Sequence, residues 1–549
     1  MIAGGVRLFH TVRFLKPQQV YGRVLFRLRR PRPDLSPAPA TRAPAAPLVV
    51  GPGREPSRLG PDRFRFLNRE GRLDTAAAWN DPAQEKLWLY NLHYFDWLRA
   101  TEADATLEAA LLDRWVQENP PGTGNGWEPY PSSLRIVNWI RWHLARAPLP
   151  PAAVHSLAVQ TRYLTGRLEH HLLGNHLLEN AKALVFAGLF FDGAEADAWY
   201  RQGAAILDRE LREQVLPDGA HFELSPMYHG TILEDVLDLA AIHQAYGRRL
   251  PPDWAGRIPT MLRWLRAMLH PDGQIPLFSD SAFGIAPHPA ALEAYAAALG
   301  HGQPEAAFPP ALHLDGSGHA RLASGPWLVL ADIGAVGPDY LPGHAHADTL
   351  TFEASVGTAR FFVDTGTSVY GTGPERLRQR ATPAHNTVCV DGADSSEVWG
   401  GFRVARRARI TAARVWEEAG AAIAEASHDG YRRLPGRPSH TRRWSVRDAA
   451  LVVEDQLTGG GTHQATVSFH LHPGVVASQT GPETVLLSHG GQTVVGALDP
   501  GLRWRLEPTT YHPGFGLSVP TLKLLGEWQG SLQARWTNRF QVVQPASGP

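Results

Sequence analysis

Histidine and aspartate side chains flank an apolar alternating stretch in the second half of the chain. His344 and His346 stand in "PGHAHADTLTF", Asp364 ends "ARFFVDTG", and His385 precedes the apolar run of "AHNTVCV". Side chains two apart on an extended segment point to one face. Two imidazoles and a carboxylate on neighbouring strand ends are a ligand set for zinc with one position open. The spacing alone equally allows histidines that cap strands and hydrogen-bond the backbone.

Two further polar groups occur in the first half. Asn175 and His176 begin the apolar stretch "GNHLLENAKALVFAGLFF", and Glu223 and Tyr228 lie in "HFELSPMYHGTILEDVL". An asparagine ahead of a helix is commonly a cap, and a loop tyrosine commonly packs its ring with the hydroxyl in water. Taken one at a time, neither group establishes a functional site.

The elements that must position these residues change type along the chain. Residues 31–62 are rich in proline and arginine and predict an extended arm. Helical spacing of apolar residues from about 75 to 312 predicts at least seven helices, as a bundle, solenoid or toroid. A period of two after about 318 predicts many antiparallel strands in a sandwich. We therefore predict an α+β multidomain protein with an extended N-terminal arm or linker at 1–70, a helical domain at 71–315 and a strand domain at 316–549.

Composition narrows the class of protein. The chain has 549 residues, with 53 Lys and Arg against 53 Asp and Glu, so no global field favours nucleic acid as a partner. The single cysteine excludes an intramolecular disulfide. We see no secretory signal and no run long enough for an integral membrane segment. We expect a cytoplasmic or membrane-peripheral protein. The basic N-terminus either lies on a membrane or packs on the protein surface; oligomeric state is unknown.

Five short motifs in order resemble one known family. The stretches "GNHLLEN", "ELSPMYHG", "GHAHAD", "FFVDTGT" and "AHNTV" look like those of the heparinase II/III-type polysaccharide lyases, over roughly residues 80–540. The opening "LFHTVRFLKPQQVYGRVLFRL" and "WLYNLHYFDWL" further resemble members found among bacterial exopolysaccharide genes. The resemblance implies an incomplete (α/α) toroid packed on an antiparallel β-sandwich, with the substrate cleft between them. It adds the periplasm as an alternative location.

The resemblance also implies roles for individual residues. The implied catalytic residues are Asn175 for the uronate carboxylate, His176 beside it, Tyr228 as proton donor or base, His344 from the sandwich and Tyr370 as a second tyrosine. The residues at the zinc-binding positions of some members are His346, Asp364 and His385. We expect this zinc to orient the loop that carries His344.

These residue types suit β-elimination from an acidic polysaccharide. Removing a uronate C5 proton requires the neighbouring carboxylate to be hydrogen-bonded or neutralised. Elimination also needs a base that reaches the C5 proton and an acid that protonates the leaving O4. The residues expected to contact substrate are Glu223, Arg376, Arg380 and Trp399. For the arginines, a solvated strand connection is an equal alternative.

Other functions remain open at this stage. A glycoside hydrolase needs two opposed carboxylates, for which Glu223 and Asp348 are the best pair. A non-catalytic glycan-binding or assembly protein of exopolysaccharide production would bind without turnover. A C5-epimerase would exchange the C5 proton without cleaving the chain.

Overall fold

The computed structural model describes residues 2–100, 104–302 and 307–543. The helices of the first half are α1 (Ile2–Val12), α2 (Pro17–Leu28), α3 (Lys86–Tyr94), α4 (Ala105–Glu118), α5 (Pro129–Ala145), α6 (Pro151–Thr165), α7 (Gly174–Phe190), α8 (Ala194–Gln214), α9 (Pro226–Ala245), α10 (Pro252–Ala255), α11 (Arg257–Ala267) and α12 (Pro289–Ala298). The segment also contains 3₁₀ turns at Ala76–Asn80, Asp96–Arg99 and Asn125–Trp127 and a small hairpin of β1 (Arg63–Phe66) and β2 (Arg69–Arg72).

Helices α7 and α9 form the centre of the helical half. Nearly every residue of both helices is buried, including polar ones such as Asn180 and Asp238. A helix that is apolar on most sides must be surrounded by others, and α7 packs against α5, α8 and α9. Both central helices carry a predicted site residue in their first turn, Asn175 on α7 and Tyr228 on α9.

The second half consists of antiparallel sheets. Its first strands are β3 (Ala311–Leu314), β4 (His319–Ser324), β5 (Trp327–Asp332), β6 (Phe352–Val356), β7 (Ala359–Phe362), β8 (Val388–Val390), β9 (Val398–Trp399) and β10 (Arg403–Val404). The later strands are β11 (Ile410–Glu418), β12 (Ala421–His428), β13 (Ser439–Arg447), β14 (Ala450–Thr458), β15 (Thr462–His470), β16 (Val476–Gly481), β17 (Thr484–His489), β18 (Gln492–Ala497), β19 (Arg503–Tyr511), β20 (Val519–Ser531) and β21 (Ala534–Val542). A short helix, α13 (Pro374–Arg380), and a 3₁₀ turn at Thr382–Ala384 interrupt them.

The strands form three main sheets around one core. Strands β3 to β7 are consecutive in a five-stranded sheet, and four strands pair in the order β19-β20-β15-β8. The large sheet has the order β11-β12-β13-β14-β21-β18-β17-β16. Phe352, Phe469 and Trp444 are fully buried between sheets. The predicted order of a helical toroid followed by antiparallel sheet is confirmed, and the Gly490–Gly491 turn joins β17 to β18 as a hairpin.

The N-terminal segment differs in part from its prediction. Residues 29–62 run along the helical half as an arm, where the Arg42 amide donates to the Phe190 carbonyl at 2.7 Å. Arg54 of the same arm pairs with Asp96 and Glu234. The prediction of an extended chain is wrong for α1 and α2, because their apolar residues recur at helical spacing. In the part of the chain that the structure describes, no helix combines the length and apolarity needed to cross a bilayer.

Candidate active site

A tight backbone turn places Asn175 at the start of α7. Leu173 and Gly174 have φ of 65° and 55°, in the left-handed region. A Cβ on Gly174 would lie 2.3 Å from Leu341 Cδ2, and the positive φ would strain any other residue, so this turn favours glycine. The Asn175 amide Nδ2 donates to Glu223 Oε1 at 3.3 Å.

Tyr228 is held by the cap of α9. The Ser225 hydroxyl accepts from the Tyr228 amide at 3.2 Å, as an N-cap does, and donates to the Asp280 carbonyl at 2.8 Å. Pro226 occupies the first turn, where its missing N–H costs nothing. The cap thus connects the Tyr228 backbone to the loop that carries Asp280.

Side chains from the sandwich meet Tyr228 from the other side. The rings of Tyr228 and His344 are perpendicular, with centroids 4.0 Å apart. The Tyr370 and Tyr228 hydroxyl oxygens lie 3.0 Å apart, within hydrogen-bond distance. His344 Nε2 lies 3.7 Å from Glu223 Oε2, so one continuous set of contacts joins Asn175, Glu223, His344 and both tyrosines.

His176 lies beside this group on the toroid. Its Nδ1 is 3.2 Å from Glu169 Oε1, and its ring centroid is 4.5 Å from that of Tyr130. Burial opposes the protonated form, and the Glu169 carboxylate overcomes this and raises the pKa of His176. When protonated, this imidazole next to Asn175 is suited to an anionic ligand.

Asp280 anchors the loop of His344, and sequence reasoning missed it. Arg376 donates to both carboxylate oxygens, with Nη2 2.7 Å from Oδ2. His346 Nε2 lies 2.8 Å from Asp280 Oδ1, and the Asp280 amide donates to the His344 carbonyl at 2.9 Å. Burial opposes the charge of Asp280, but Arg376 holds the pKa of this carboxyl well below its usual range. No local pattern in "LFSDSAFG" signals this role, because every partner is distant in sequence.

The two arginines expected to contact substrate have internal partners instead. Arg376 and Arg380 are fully buried. Arg380 donates twice to the Ala345 carbonyl, at 3.0 and 2.7 Å, and once to Gly401 at 2.7 Å. Arg380 thus holds the loop between His344 and His346, and Arg376 holds Asp280 and the Gly401 carbonyl. Both guanidinium groups are used inside the protein, and their expected contact with substrate carboxylates stays a prediction.

Trp399 ends strand β9, and Phe402 lies in the turn between β9 and β10. The Trp399 indole donates to the Thr11 hydroxyl of α1 at 3.1 Å, so its expected contact with substrate stays a prediction. Phe402, which the sequence analysis did not select, is 39% exposed, and its ring centroid is 5.2 Å from that of Tyr370. An exposed ring beside the two tyrosines is suited to stack on a sugar.

A buried group of possible metal ligands lies behind the His344 loop. His346, Asp348 and His385 each offer one ligand atom, and these atoms lie within 4.8 Å of one another. Asp364 instead lies with Oδ2 2.7 Å from His385 Nδ1. Among the residues described, His346 Nδ1 and His385 Nε2 have no hydrogen-bond partner. Two unpaired buried imidazole nitrogens beside a carboxylate fit a divalent metal such as zinc.

Burial sets the protonation of the central residues. It raises the pKa of Glu223 to about 7 and lowers that of His344 to about 3, so His344 is neutral near neutral pH. Burial also raises the pKa of Tyr228 above its usual value, although the Tyr370 hydroxyl opposes this. The site therefore offers a neutral imidazole that can accept a proton and a phenol that can donate one.

Replacing Glu223 by glutamine is expected to change the pH dependence of stability. Folding raises the pKa of Glu223 from 4.5 to about 7, so between these pH values the folded state binds more protons than the unfolded state. Wild-type stability therefore falls as pH rises from about 4.5 to about 7. The glutamine side chain does not titrate, so the variant does not lose this stability. Its stability relative to wild type should increase by up to about 3 kcal/mol from pH about 4.5 to about 8. Urea unfolding at several pH values measures the difference, and parallel pH profiles would contradict the assignment.

Comparisons with known proteins agree with this arrangement of two halves. Residues 111–295 match the family described as Heparinase II/III N-terminus, and residues 308–536 match Heparinase II/III-like, C-terminal. The chain belongs to the heparinase II/III family.

Individual relatives match this heparinase II/III protein over different lengths. A protein named heparin-sulfate lyase from Bacteroides stercoris is 24% identical over 420 residues, which cover 70% of this chain and 60% of the relative. One of the same name from Pedobacter heparinus is 28% identical over 188 residues, 30% of this chain and 27% of the relative. The chain thus spans less than two thirds of the length of these relatives.

Solved structures show the same fold. The crystal structure of heparinase III has a TM-score of 0.66 at 18% identity, and the match covers 88% of this heparinase II/III chain and 80% of the heparinase III chain. The heparinase III BT4657 gene product has a TM-score of 0.64 at 20% identity, with 85% and 81% covered. At these identities the likeness establishes the fold alone.

Proposed function

We propose that this protein is a polysaccharide lyase that cleaves a uronate-containing polysaccharide by β-elimination. The observation that carries the proposal is the meeting of Asn175 and Tyr228 from the helical half with His344 from the sandwich. The relatives named heparin-sulfate lyase support an acidic polysaccharide as the substrate class.

The first requirement of elimination is a partner for the substrate carboxylate. The Asn175 amide can donate to a uronate carboxylate without titrating, and it already lies within hydrogen-bond distance of Glu223. The Glu223 carboxyl group is protonated below a pH of about 7, and its hydroxyl then offers a second hydrogen-bond donor beside the Asn175 amide. His176, whose pKa Glu169 raises against burial, adds positive charge. Such preformed donors stabilise the dianion that forms when the C5 proton leaves.

Proton transfer then follows from the protonation states. His344 in its neutral form takes the C5 proton, the C4–O4 bond breaks, and the electron pair forms the C4–C5 double bond. Tyr228 donates its phenolic proton to O4 of the leaving sugar, and the Tyr370 hydroxyl lies within hydrogen-bond distance of the phenolate that results. No water is consumed, so the product is an unsaturated uronate.

We further propose that His346, Asp348 and His385 hold a zinc ion. The unpaired His346 Nδ1 and His385 Nε2 support this, and Asp364 orients the His385 ring through Nδ1. When bound, zinc would supply a fixed positive charge that keeps this part of the sandwich rigid. His346 also touches Asp280, so the same residues hold the His344 loop in place.

Replacing Asp348 by asparagine is expected to lower the zinc content of the purified protein more than replacing Asp364 by asparagine does. Loss of a ligand carboxylate removes a bond to the metal, whereas loss of an orienting partner typically weakens affinity about 10- to 100-fold. Elemental analysis after dialysis against a range of free zinc concentrations compares the two variants. Equal retention in both, or no zinc in wild type, would contradict this ligand set.

The elimination itself is tested by its product. Incubation with uronate polysaccharides should raise ultraviolet absorbance from the conjugated double bond, with no ¹⁸O incorporated from labelled water. A saturated, labelled reducing end would instead identify a hydrolase. The position of Asp348 argues against that reading, since it faces two buried histidines and accepts from the Ser279 amide at 3.2 Å. Binding without turnover would identify a glycan-binding protein.

A further inference from the structure

The first two helices present apolar side chains to solvent. The exposed large apolar residues are Val6, Leu8, Phe9 and Val12 on α1 and Val20, Tyr21, Val24, Leu25 and Leu28 on α2. We call these nine side chains the N-terminal apolar face. Phe9 is 60% and Leu28 is 75% exposed, so the face is not a rim of half-buried residues. Large apolar residues exposed together usually mark a contact surface.

The opposite sides of both helices are already used. Thr11 of α1 accepts from the Trp399 indole at 3.1 Å, which attaches that helix to the sandwich. Gln19 of α2 is buried and donates to the Tyr340 carbonyl at 3.1 Å, and Phe26 packs on His171 of the toroid with ring centroids 4.2 Å apart. The helices are thus fixed to the body by one side, and a second apolar side remains uncovered.

The spacing on α2 shows that this second side is continuous. Val20, Val24 and Leu28 recur every four residues, and Tyr21 and Leu25 form the adjacent row. Residues three and four apart lie on one helix face. Gln19 and Phe26, seven apart, form the body-facing row. Helix α2 therefore contacts the protein through one side and exposes a separate apolar side, which a helix of an isolated globular protein does not need.

The charge around the face identifies its occupant. Residues 1–33 contain eight basic residues, Arg7, Arg13, Lys16, Arg23, Arg27, Arg29, Arg30 and Arg32, and no Asp or Glu. All except Lys16 are classed as exposed. We propose that the N-terminal apolar face docks on the surface of an anionic lipid bilayer. Apolar side chains enter the acyl boundary while arginines contact lipid phosphates, as in helices that lie in a membrane interface.

Two other occupants fit the face less well. An acidic polysaccharide would satisfy the arginines but not the valine and leucine side chains, because sugars pack on aromatic rings and offer little surface to branched aliphatic groups. If a second copy met the same face across a two-fold axis, the eight basic residues of one copy would repel the eight basic residues of the other. Lipid satisfies the apolar and the cationic groups together. The helices are too short to cross the bilayer, so they lie on it.

Vesicle flotation of the full chain tests the proposal. Vesicles of phosphatidylcholine mixed with phosphatidylglycerol should carry wild type to the top of a gradient, whereas phosphatidylcholine alone should carry much less. Raising the salt should weaken binding. The triple variant Val24→Ser, Leu25→Ser, Leu28→Ser should lose about tenfold or more in vesicle affinity. The double variant Arg23→Glu, Arg27→Glu should lose a similar factor.

Matched controls separate lipid docking from misfolding and from other partners. Val476→Ser removes a 73%-exposed valine from β16 and should leave flotation unchanged. All variants should keep wild-type thermal unfolding. Failure of wild type to float with anionic vesicles would overturn the proposal. So would wild-type flotation by the triple serine variant, or a concentration-dependent dimer in light scattering that the same variant abolishes. None of these outcomes depends on elimination activity.

Discussion

Replacing Tyr228 by phenylalanine is expected to lower kcat for elimination by about 10²- to 10⁴-fold, the usual contribution of a positioned acid or base. The change removes the proton donor for O4 and the hydrogen bond to Tyr370, while the ring can keep its perpendicular contact with His344. KM should change much less, because the phenol acts in the transition state. Initial rates of ultraviolet absorbance increase on a uronate polysaccharide measure the effect.

The same chemical change at a distant tyrosine is the control. Tyr246 is buried in the helical core, and its hydroxyl has no hydrogen-bond partner among the described residues, so Tyr246→Phe should leave kcat at the wild-type value. Tyr370→Phe should lower kcat by a smaller factor than Tyr228→Phe, since Tyr370 acts through the Tyr228 hydroxyl. A Tyr228→Phe enzyme with wild-type kcat would remove Tyr228 from proton transfer.

Replacing Asp280 by asparagine is expected to destabilise the fold by about 3–5 kcal/mol, because it leaves the buried Arg376 guanidinium without its counter-charge. The same change removes the negative charge that lies 2.8 Å from His346 Nε2 and 3.7 Å from His344 Nδ1, while the backbone hydrogen bond to the His344 carbonyl remains. Urea unfolding measures the loss of stability. The pH profile of the folded variant separates misplacement of His344 from simple unfolding, because a displaced base shifts the acid limb of activity.

An exposed ion pair on the same helix as Arg376 serves as the control. Glu375 and Arg378 pair on α13 with side chains 45% and 44% exposed. Exposed pairs contribute at most about 1 kcal/mol, so Glu375→Gln should change stability by no more than that. If Asp280→Asn cost as little as Glu375→Gln, the anchoring role of Asp280 would be wrong.

Local sequence was sufficient for most of the fold. Near residue 318 the spacing of apolar residues changes from helical to alternating, because a helix and a sheet each bury one face. This change predicted the helical half and the sandwich in the right order. The extended arm predicted for residues 1–70 was wrong at α1, whose apolar residues recur at helical spacing. That helix is stabilised by its contact with Trp399, which the sequence around α1 does not contain.

The motifs also identified most residues that meet at the candidate site. Asn175, Tyr228 and His344 lie in the short motifs that carry the family resemblance, and Tyr370 was implied by that resemblance alone. The structure brings all four together. The pairing partners were not foreseen. Asp280 lies in a loop with no motif of its own, and its importance comes from Arg376, which is 96 residues away.

Sequence by itself therefore determined the family, the order of the two halves and the residue types available for chemistry, because periodicity and short motifs are local properties. Tertiary structure alone decided which charged and metal-ligating side chains lie next to one another. It buried Arg376 and Arg380 against partners inside the protein, and it grouped Asp348 with the two histidines of the ligand set. The physical reason is that burial and ion pairing depend on distances between segments far apart in the chain, and those distances exist only once the two halves have packed.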